Sequence, residues 1–289
     1  GIVGESGSGK SMTALSILRL LPRAGGRIVN GHIRFAGKDL LELSEAEMSR
    51  DIRGQEISLI SQDPLTSLNP VFTIGEQIGA PLKYHNIARR KADIRERVIN
   101  VLRRVGIPSP EKRLNDYPHQ FSGGMRQRVV AAIAIACMPR LLIADEPTSN
   151  LDVTIQMQVM QLFRDLQQES NVGIVLITHD FGSAAAACDR IAVMYSGRIV
   201  ETADVNTLYN DPRHPYTRAL LDCLPVLGQK RRRLFSLGGQ PPNLIDLPTG
   251  CPFAARCPQK TDICEQRYPP VFHLESGHEV ACWLEDPAR

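Results

Sequence analysis

The sequence predicts an α/β protein with a doubly wound core of parallel strands, a helical subdomain and a small irregular C-terminal extension. Two short, continuous apolar runs, 141–144 and 173–177, are typical of strands buried on both faces, and helical segments lie between them. Beyond Asn210 the composition shifts to proline and glycine, and regular periodicity fades. With 289 residues, 43% of them hydrophobic, the chain is long enough for one sizeable core and an appended module.

The chain opens with a glycine-rich loop. Only Ile2 and Val3 separate that loop from Gly1, and we predict that they are too few to make the strand that such a loop normally follows. Together with the absence of an initial methionine, this indicates a truncated N-terminus. Residues 12–21 then combine good helix formers with apolar residues at helical spacing, and Pro22 ends the pattern.

The remaining elements give the core an antiparallel part and a helical part. Residues 81–117 have a charged helical pattern, which we interpret as an insert. Shorter patterns predict a hairpin at 31–37, a buried strand at 56–60, and a second hairpin in which the turn 196–197 joins 191–195 to 198–202. We therefore predict a core at 1–210, with a helical subdomain at about 81–138, and an extension at 211–289.

Composition and charge give no argument for a nucleic-acid partner. Lysine and arginine number 34 against 31 acidic residues, a net charge of +3. The longest apolar stretch, 129–138, has 10 residues, whereas a membrane span needs ~20, and the start does not read as a signal peptide. We expect a soluble, cytoplasmic chain. A basic run at 230–233 could touch lipid headgroups, although a solvated linker is the simpler interpretation.

The opening loop fits the phosphate-binding pattern G-x-x-x-x-G-K-[ST]. Its glycines let backbone N–H groups close around phosphate at the start of a helix. Lys10 is expected to reach the β- and γ-phosphates, and the Ser11 hydroxyl to ligate Mg²⁺. A glycine-rich turn without a ligand is the alternative, which the lysine, the serine and the following helix disfavour. The predicted nucleotide-binding residues are Gly4, Glu5, Ser6, Gly7, Ser8, Gly9, Lys10, Ser11 and Met12.

Two carboxylates end the apolar run that begins at residue 141. Asp145 is expected to bind Mg²⁺ through water, whereas Glu146 can polarise the attacking water as a general base. That second role needs a carboxylate without direct metal contact. Two acids at a strand end can also form a solvated turn, but the phosphate-binding loop upstream favours a hydrolytic site.

A second anion cradle is predicted before a long apolar helix that runs from Met125 to about Cys137. Its glycines and serine open that helix and present N–H groups to an anion. Because one loop already satisfies one nucleotide, this cradle is expected to receive the γ-phosphate of a nucleotide held by another subunit. A plain helix cap is the alternative. The cradle residues are Ser122, Gly123, Gly124 and Met125.

In their order along the chain, these motifs resemble the ATP-binding-cassette ATPases, and the resemblance covers essentially the whole sequence. It implies a P-loop NTPase cassette core, ATP and Mg²⁺ as cofactors, and a head-to-tail dimer with each ATP between the P-loop of one cassette and the signature serine and glycines of the other. It also implies that Gln62 senses Mg²⁺ and the membrane subunit, and that His179 holds the γ-phosphate and the catalytic water. The family's dimer loop corresponds to Ser149, Asn150, Leu151 and Asp152.

The chain departs from the family pattern in two places. The aromatic residue that stacks on adenine in the family lies upstream of the P-loop, before this sequence begins. In the dimer loop, Asn150 stands where the family commonly has alanine, while Asp152 is retained. We expect Asn150 to be tolerated, although it could alter communication between the two ATP sites.

Residues 214–221 and 250–258 resemble the C-terminal extension of peptide-importer ATPases, which general cassette ATPases lack. The extension has four cysteines spaced C-x5-C-x6-C-x17-C: Cys251, Cys257, Cys264 and Cys282. In this branch such a quartet is associated with a [4Fe–4S] cluster. Four thiolates also suit tetrahedral zinc, although C-x2-C knuckles are absent, and disulfides or no metal remain open. We expect a structural role before a redox one.

The resemblance implies the ATP-hydrolysing subunit of a bacterial importer for dipeptides or oligopeptides. Its expected partners are a second, different ATPase subunit, two membrane permease subunits at the cytoplasmic face of the plasma membrane, and indirectly an extracytoplasmic substrate-binding protein. Nickel, opine or glycoside uptake are alternatives, because the ATPase does not bind the transported molecule. Two alternatives belong to another class: a soluble cassette protein of DNA repair or translation, and a redox-regulated binding module. The first would be expected to have long coiled-coil arms or tandem cassettes, and this sequence has neither.

Overall fold

We describe a computed structural model of the chain over residues 1–22, 24, 26–62, 67–149, 152–224 and 238–287. The chain forms two compact units. The first unit comprises Gly1–Lys10 and Thr178–Arg289, and the second comprises Ser11–Ile177.

Short strands alternate with helices along the chain. The strands are β1 (Ile2–Val3), β2 (Arg34–Phe35), β3 (Lys38–Asp39), β4 (Ile57–Ile60), β5 (Leu141–Asp145), β6 (Gly173–Thr178), β7 (Arg190–Tyr195), β8 (Arg198–Asp204), β9 (Phe272–His273) and β10 (Glu279–Val280). The α-helices are α1 (Lys10–Ile17), α2 (Glu45–Glu47), α3 (Ile74–Tyr84), α4 (Lys91–Arg104), α5 (Pro110–Arg113), α6 (Gly123–Ile135), α7 (Val153–Ser170), α8 (Phe181–Ala187), α9 (Val205–Asn210), α10 (Pro215–Asp222) and α11 (Asp262–Gln266). A π-helix spans Met48–Ile52, and 3₁₀ turns span Pro118–Gln120, Ala254–Arg256, Glu275–Gly277 and Trp283–Glu285.

The second unit contains three parallel strands. β5 lies between β4 and β6, with Leu141 opposite both Ile57 and Gly173. The middle of β5 is fully buried, as expected for a parallel strand covered on both faces. The continuous apolar runs therefore predicted these strands correctly, and β5 ends at Asp145.

The predicted helical insert contains α3, α4 and α5. It begins earlier than the sequence pattern indicated, because Thr73 caps α3 and exchanges hydrogen bonds with Glu76 in a capping box. In α4 the buried positions are spaced three, four and seven residues apart, so one face packs inward and the charged face is solvated. Those positions are Ile94, Val98, Val101 and Leu102.

The first unit has an antiparallel part. β7 and β8 form the predicted hairpin, and its turn residues Ser196 and Gly197 both have positive φ, at 47° and 79°. The expectation that Ile2 and Val3 are too few to make a strand was wrong. They form β1, parallel to β7, because pairing with a longer strand supplies the hydrogen bonds and burial that two residues lack alone.

The C-terminal extension packs onto this antiparallel part. β10 pairs with β8 and β9, and the rings of Tyr195, Tyr216 and Phe253 contact one another at centroid distances of 4.5 to 5.4 Å. Glu201 on β8 is fully buried and accepts hydrogen bonds from three groups of the extension. Within the described ranges, none of the helices is both long and apolar enough to span a membrane.

Candidate functional site

The phosphate-binding loop follows β1 at a glycine, Gly4, and any other residue there would displace the neighbouring backbone. A Cβ atom at Gly4 would lie 2.2 Å from the carbonyl oxygen of Met194. Gly7 and Gly9 adopt positive φ values of 78° and 104°, which only glycine adopts at little cost. A glycine-rich backbone of this kind, directly ahead of α1, is what an anion cradle requires.

Lys10 is folded into the same loop. Its side chain is buried, and its ammonium group donates to the carbonyl oxygens of Gly4 and Glu5 at 2.8 and 2.9 Å. The hydroxyl of Ser8 is also buried and makes no hydrogen bond to any described residue. A buried, unsatisfied polar group is costly, so the loop fits a ligand that would bond to it. Ser11 follows as the second residue of α1.

Three predicted residues of the second unit meet at the end of β5. The carboxylate oxygen Oε2 of Glu146 accepts hydrogen bonds from Gln62 Nε2 at 3.1 Å and from Ser149 Oγ at 2.8 Å. Its backbone N–H donates to Ile177 at 2.9 Å, although its φ of 46° lies in the left-handed region. Asp145, one residue earlier, is buried. Glu146 is thus held by hydrogen bonds to its side chain and to its backbone.

The second predicted cradle caps α6. Ser122 is exposed and accepts a hydrogen bond from the backbone N–H of Met125 at 3.3 Å. Gly123 is exposed with open space around its Cα, whereas a Cβ at Gly124 would meet the side chain of Ile155 at 3.2 Å. The N-terminal surface of α6 therefore faces outward from the second unit.

A buried glutamine joins α6 to the loop that follows Glu146. Gln127 is 7% exposed, and its Nε2 donates to the carbonyl oxygen of Pro147 at 3.0 Å. Sequence reasoning missed this residue, because a glutamine on an apolar helix gives no local signal of its partner. The bond ties the helix that follows Ser122 to the backbone next to Glu146.

His179 lies in the first unit, directly after β6, and its side chain is exposed. The next residue, Asp180, caps α8 and accepts from the N–H groups of Gly182 and Ser183 at 2.9 and 3.0 Å. Burial acts to raise the pKa of Asp180, but these bonds and the Ser183 hydroxyl outweigh it and the pKa is lowered. A fixed anion thus anchors the backbone beside His179.

Half of the predicted dimer loop can be described. Ser149 contacts Glu146, and Asp152 caps α7 by accepting from the N–H of Ile155 at 3.0 Å. Asn150 and Leu151 lie outside the described residues, as does the basic run 230–233.

The four cysteines of the extension line a single cavity, together with His214 and Phe253. Burial raises the pKa of the Cys251 thiol to about 11 and that of Cys282 to about 12, and it also raises the pKa of Cys257. All four thiols are free of disulfides. Over the described part of the chain, no group of three or more histidine, cysteine or acidic side chains is arranged to hold a metal ion.

Comparison with known proteins agrees with this geometry. A family model described as "ABC transporter" matches residues 1–149, more than half of the chain. The chain belongs to the ABC transporter family. A second model, "Oligopeptide/dipeptide transporter, C-terminal region", matches residues 200–264.

Curated relatives extend the match over the whole chain, and a solved structure covers most of it. The chain is 49% identical to the dipeptide transport ATP-binding protein DppD of Bacillus subtilis (strain 168), covering 99% of this chain and 84% of that protein. It is also 49% identical to the DppD of Escherichia coli (strain K12), covering 100% and 88%. Among solved structures, the ATP-binding cassette MJ0796, in a post-hydrolysis dimer bound to ADP and Pi, aligns with a TM-score of 0.61 at 28% identity, covering 71% of this chain and 84% of that one.

The fold expected from the sequence, an α/β cassette of the P-loop type, is therefore confirmed. The chain is an ABC-type ATPase, and its cofactors are ATP and Mg²⁺. This ABC cassette also contains contacts to the P-loop that the motifs did not indicate. They come from Tyr216 and Arg256, which lie more than 200 residues after the loop they touch.

Proposed function

We propose that the chain is the ATP-hydrolysing motor of an importer for dipeptides or oligopeptides. The match of residues 200–264 to the C-terminal region of oligopeptide/dipeptide transporters carries this proposal, because the description of that model names the transported class. The names of the relatives that align over nearly the full length agree with it. The four-cysteine cavity and the buried contacts of Glu201 give the same region a defined structure.

The nucleotide is proposed to bind through residues 4–12. Backbone N–H groups of the loop bind phosphate oxygens, Lys10 neutralises phosphate charge, and the Ser8 hydroxyl gains a partner. Ser11 and Asp145 hold Mg²⁺, with Gln62 as its sensor, and the metal offsets charge on the phosphates when bound. The positive φ of Gly7 and Gly9, the buried ammonium and the unsatisfied hydroxyl support this assignment.

Glu146 is proposed as the general base. A base must accept a proton from water while a second contact fixes its direction. Gln62 and Ser149 both donate to one oxygen, Oε2, and so hold the carboxylate in one orientation. We assign His179 to the γ-phosphate and the catalytic water, supported by its anchored backbone after β6.

Partner subunits complete the proposal. Ser122, Gly123, Gly124 and Met125 would bind the ATP of a second ATPase subunit, which the exposure of Ser122 and Gly123 supports. The residues 149–152 would lie in the same dimer contact. We propose a heterodimer that works with two membrane permease subunits at the cytoplasmic face of the plasma membrane, and indirectly with an extracytoplasmic substrate-binding protein. The proposal also includes the domain boundaries: an ATP-binding cassette at 1–210, with a helical subdomain at about 81–138, and a C-terminal extension at 211–289.

We also propose that Cys251, Cys257, Cys264 and Cys282 hold a [4Fe–4S] cluster with a structural role. All four line one cavity, and backbone N–H groups at Phe253, Gln259 and Leu284 donate to their sulfurs. Tetrahedral zinc is the alternative. With Zn–S bonds of about 2.3 Å, zinc would draw the sulfurs to within about 4 Å of each other.

Uptake in the source organism tests the transport proposal. A strain lacking this gene is given labelled dipeptide, oligopeptide, nickel, opine or glycoside in separate assays. It is complemented with the wild-type chain or with Glu146→Gln. Loss of peptide uptake that only the wild-type chain restores is expected. Peptide uptake that is unaffected, with nickel, opine or glycoside uptake lost instead, would reject peptides and retain the motor. A strain with normal uptake of all of these would reject the transport function.

Elemental analysis tests the cluster. The full chain is purified without oxygen, and iron, sulfide and zinc are measured beside the visible spectrum for the wild type and for Cys257→Ser. About four irons and four sulfides per chain are expected in the wild type, with loss in the variant. Zinc or no metal would refute the cluster and leave the ATPase assignment intact.

A further inference from the structure

The cysteine-bearing extension contacts the phosphate-binding loop through one buried arginine. The Arg256 side chain is 4% exposed, and its guanidinium forms a two-pronged ion pair with Glu5: Nη1 to Oε2 at 2.8 Å and Nη2 to Oε1 at 3.0 Å. Its remaining bonds run from Nε to the carbonyl oxygen of Gly238 at 2.9 Å and from Nη1 to the hydroxyl of Tyr195 at 3.2 Å. This fork geometry is one that only arginine provides.

Glu5 is held on its backbone as well. Its N–H donates to the hydroxyl of Tyr216 at 2.9 Å. Its carbonyl oxygen accepts from Lys10 Nζ at 2.9 Å and from the N–H of Ser8 at 3.2 Å. The residue that Arg256 grips is therefore the residue whose carbonyl positions the phosphate-binding lysine.

Arg256 is itself positioned by the cysteine segment. It ends the 3₁₀ turn Ala254–Arg256, between Cys251 and Cys257. The N–H of Ala254 donates to the carbonyl oxygen of Cys251 at 3.0 Å, and the N–H of Cys257 donates to Ala254 at 3.3 Å. The place of the guanidinium thus depends on how the cysteine segment folds.

We infer that Arg256 is a positioning residue for ATP binding, which links the folded state of the cysteine segment to the shape of the phosphate-binding loop. Exposed ion pairs contribute little to stability, but here the arginine side chain is buried and the contact is bidentate. Removing one partner therefore leaves the other poorly compensated. Without the ion pair, the Glu5 carbonyl loses its fixed position. The Lys10 ammonium group that donates to this carbonyl then loses its fixed position too. The inference rests on the proposed binding of ATP by residues 4–12.

The test measures binding of a fluorescent ATP analogue with Mg²⁺ to the purified full chain. The variants are Arg256→Gln, Glu5→Gln, the double variant and Arg256→Lys, with Arg267→Gln as the matched control, because Arg267 is an exposed arginine of the same extension. All titrations are made well below the unfolding midpoint of each variant, which is measured alongside.

Each glutamine variant is expected to weaken nucleotide binding about tenfold, a 1.4 kcal/mol effect. The double variant should weaken it by no more than either single change, because both changes remove the same pair. Arg256→Lys keeps the charge without the two-pronged geometry, so its nucleotide affinity should lie between those of the wild type and Arg256→Gln. Arg267→Gln should bind the nucleotide with wild-type affinity. Comparing Glu5→Gln and Arg256→Lys keeps the test valid if Arg256→Gln does not fold.

Two results would overturn the inference. Variants with a lower unfolding midpoint but wild-type affinity for the nucleotide would show that Arg256 has a purely structural role. Effects of Arg256→Gln and Glu5→Gln that add in the double variant would show that they act separately. A wild-type chain that does not bind the nucleotide would instead overturn the proposed ATP site, and the inference with it.

Discussion

Replacing Glu201 with glutamine should detach the C-terminal extension from β8. The Glu201 carboxylate is fully buried, and its Oε1 accepts from the N–H of Arg213 at 2.6 Å and from His278 Nε2 at 2.8 Å. Its Oε2 accepts from the N–H of His214 at 3.0 Å. One side chain thus holds both the beginning and the end of the extension.

The cost follows from the lost acceptor. In Glu201→Gln, an amide –NH₂ group replaces one carboxylate oxygen, so a buried N–H of Arg213 or His214 faces another donor. A hydrogen bond to a charged group contributes about 1.5–3 kcal/mol, and leaving a buried donor unsatisfied costs about 1–3 kcal/mol. Because both figures describe the same lost contact, they are not added together. We expect the free energy of unfolding to fall by about 3 kcal/mol, the upper end of either range.

The single tryptophan of the chain reports this loss. Trp283 lies in the extension and donates from Nε1 to the carbonyl oxygen of Arg267 at 3.0 Å. Its fluorescence during urea unfolding therefore follows the extension. The control is Glu279→Gln, on the neighbouring strand, where the side chain is 45% exposed. That change should cost no more than about 0.5 kcal/mol. Equal midpoints for Glu201→Gln and Glu279→Gln would refute the reasoning.

Three further outcomes are expected. Gly4→Ala should abolish ATP binding in equilibrium titrations, because its Cβ would lie 2.2 Å from the Met194 carbonyl oxygen; retained affinity would contradict the loop geometry. Glu146→Gln should lower phosphate release about 10²–10⁴-fold, while ATP binding persists through the loop; hydrolysis at the wild-type rate would exclude Glu146 as the base. Burial raises the pKa of Cys137 to about 11, so its thiolate is scarce at pH 8. Alkylation followed by mass spectrometry should therefore be about 100-fold slower than for an exposed thiol and should accelerate up to pH 11; equal rates would be inconsistent with that burial.

The parts of the fold that the sequence predicted are those with local signals. β5 and β6 are continuous apolar runs because both faces are covered, and the Ser196-Gly197 turn requires positive φ at both positions. The phosphate-binding loop, Glu146 and Ser122 could be predicted as site residues because the chemistry assigned to them needs fixed residue types at fixed spacing.

The contacts that the sequence did not reveal join residues far apart in the chain. Arg256 and Glu5 are 251 positions apart, and Glu201 and His278 are 77 apart, so no local pattern relates them. In the sequence, a buried arginine between two cysteines also looks like an ordinary surface charge. β1 was missed for a related reason, since two residues become a strand only through β7.

At Glu146, the residue that would favour stability differs from the one that the proposed catalysis needs. A non-glycine residue with a φ of 46° pays a conformational cost of about 1 kcal/mol or more, which glycine would avoid. Glycine at that position has no carboxylate for Gln62 and Ser149 to orient. With Glu146 as the proposed general base, directed evolution for heat resistance alone is therefore expected to select glycine at position 146 and lose activity. A screen that also demands ATP hydrolysis is expected to retain the glutamate.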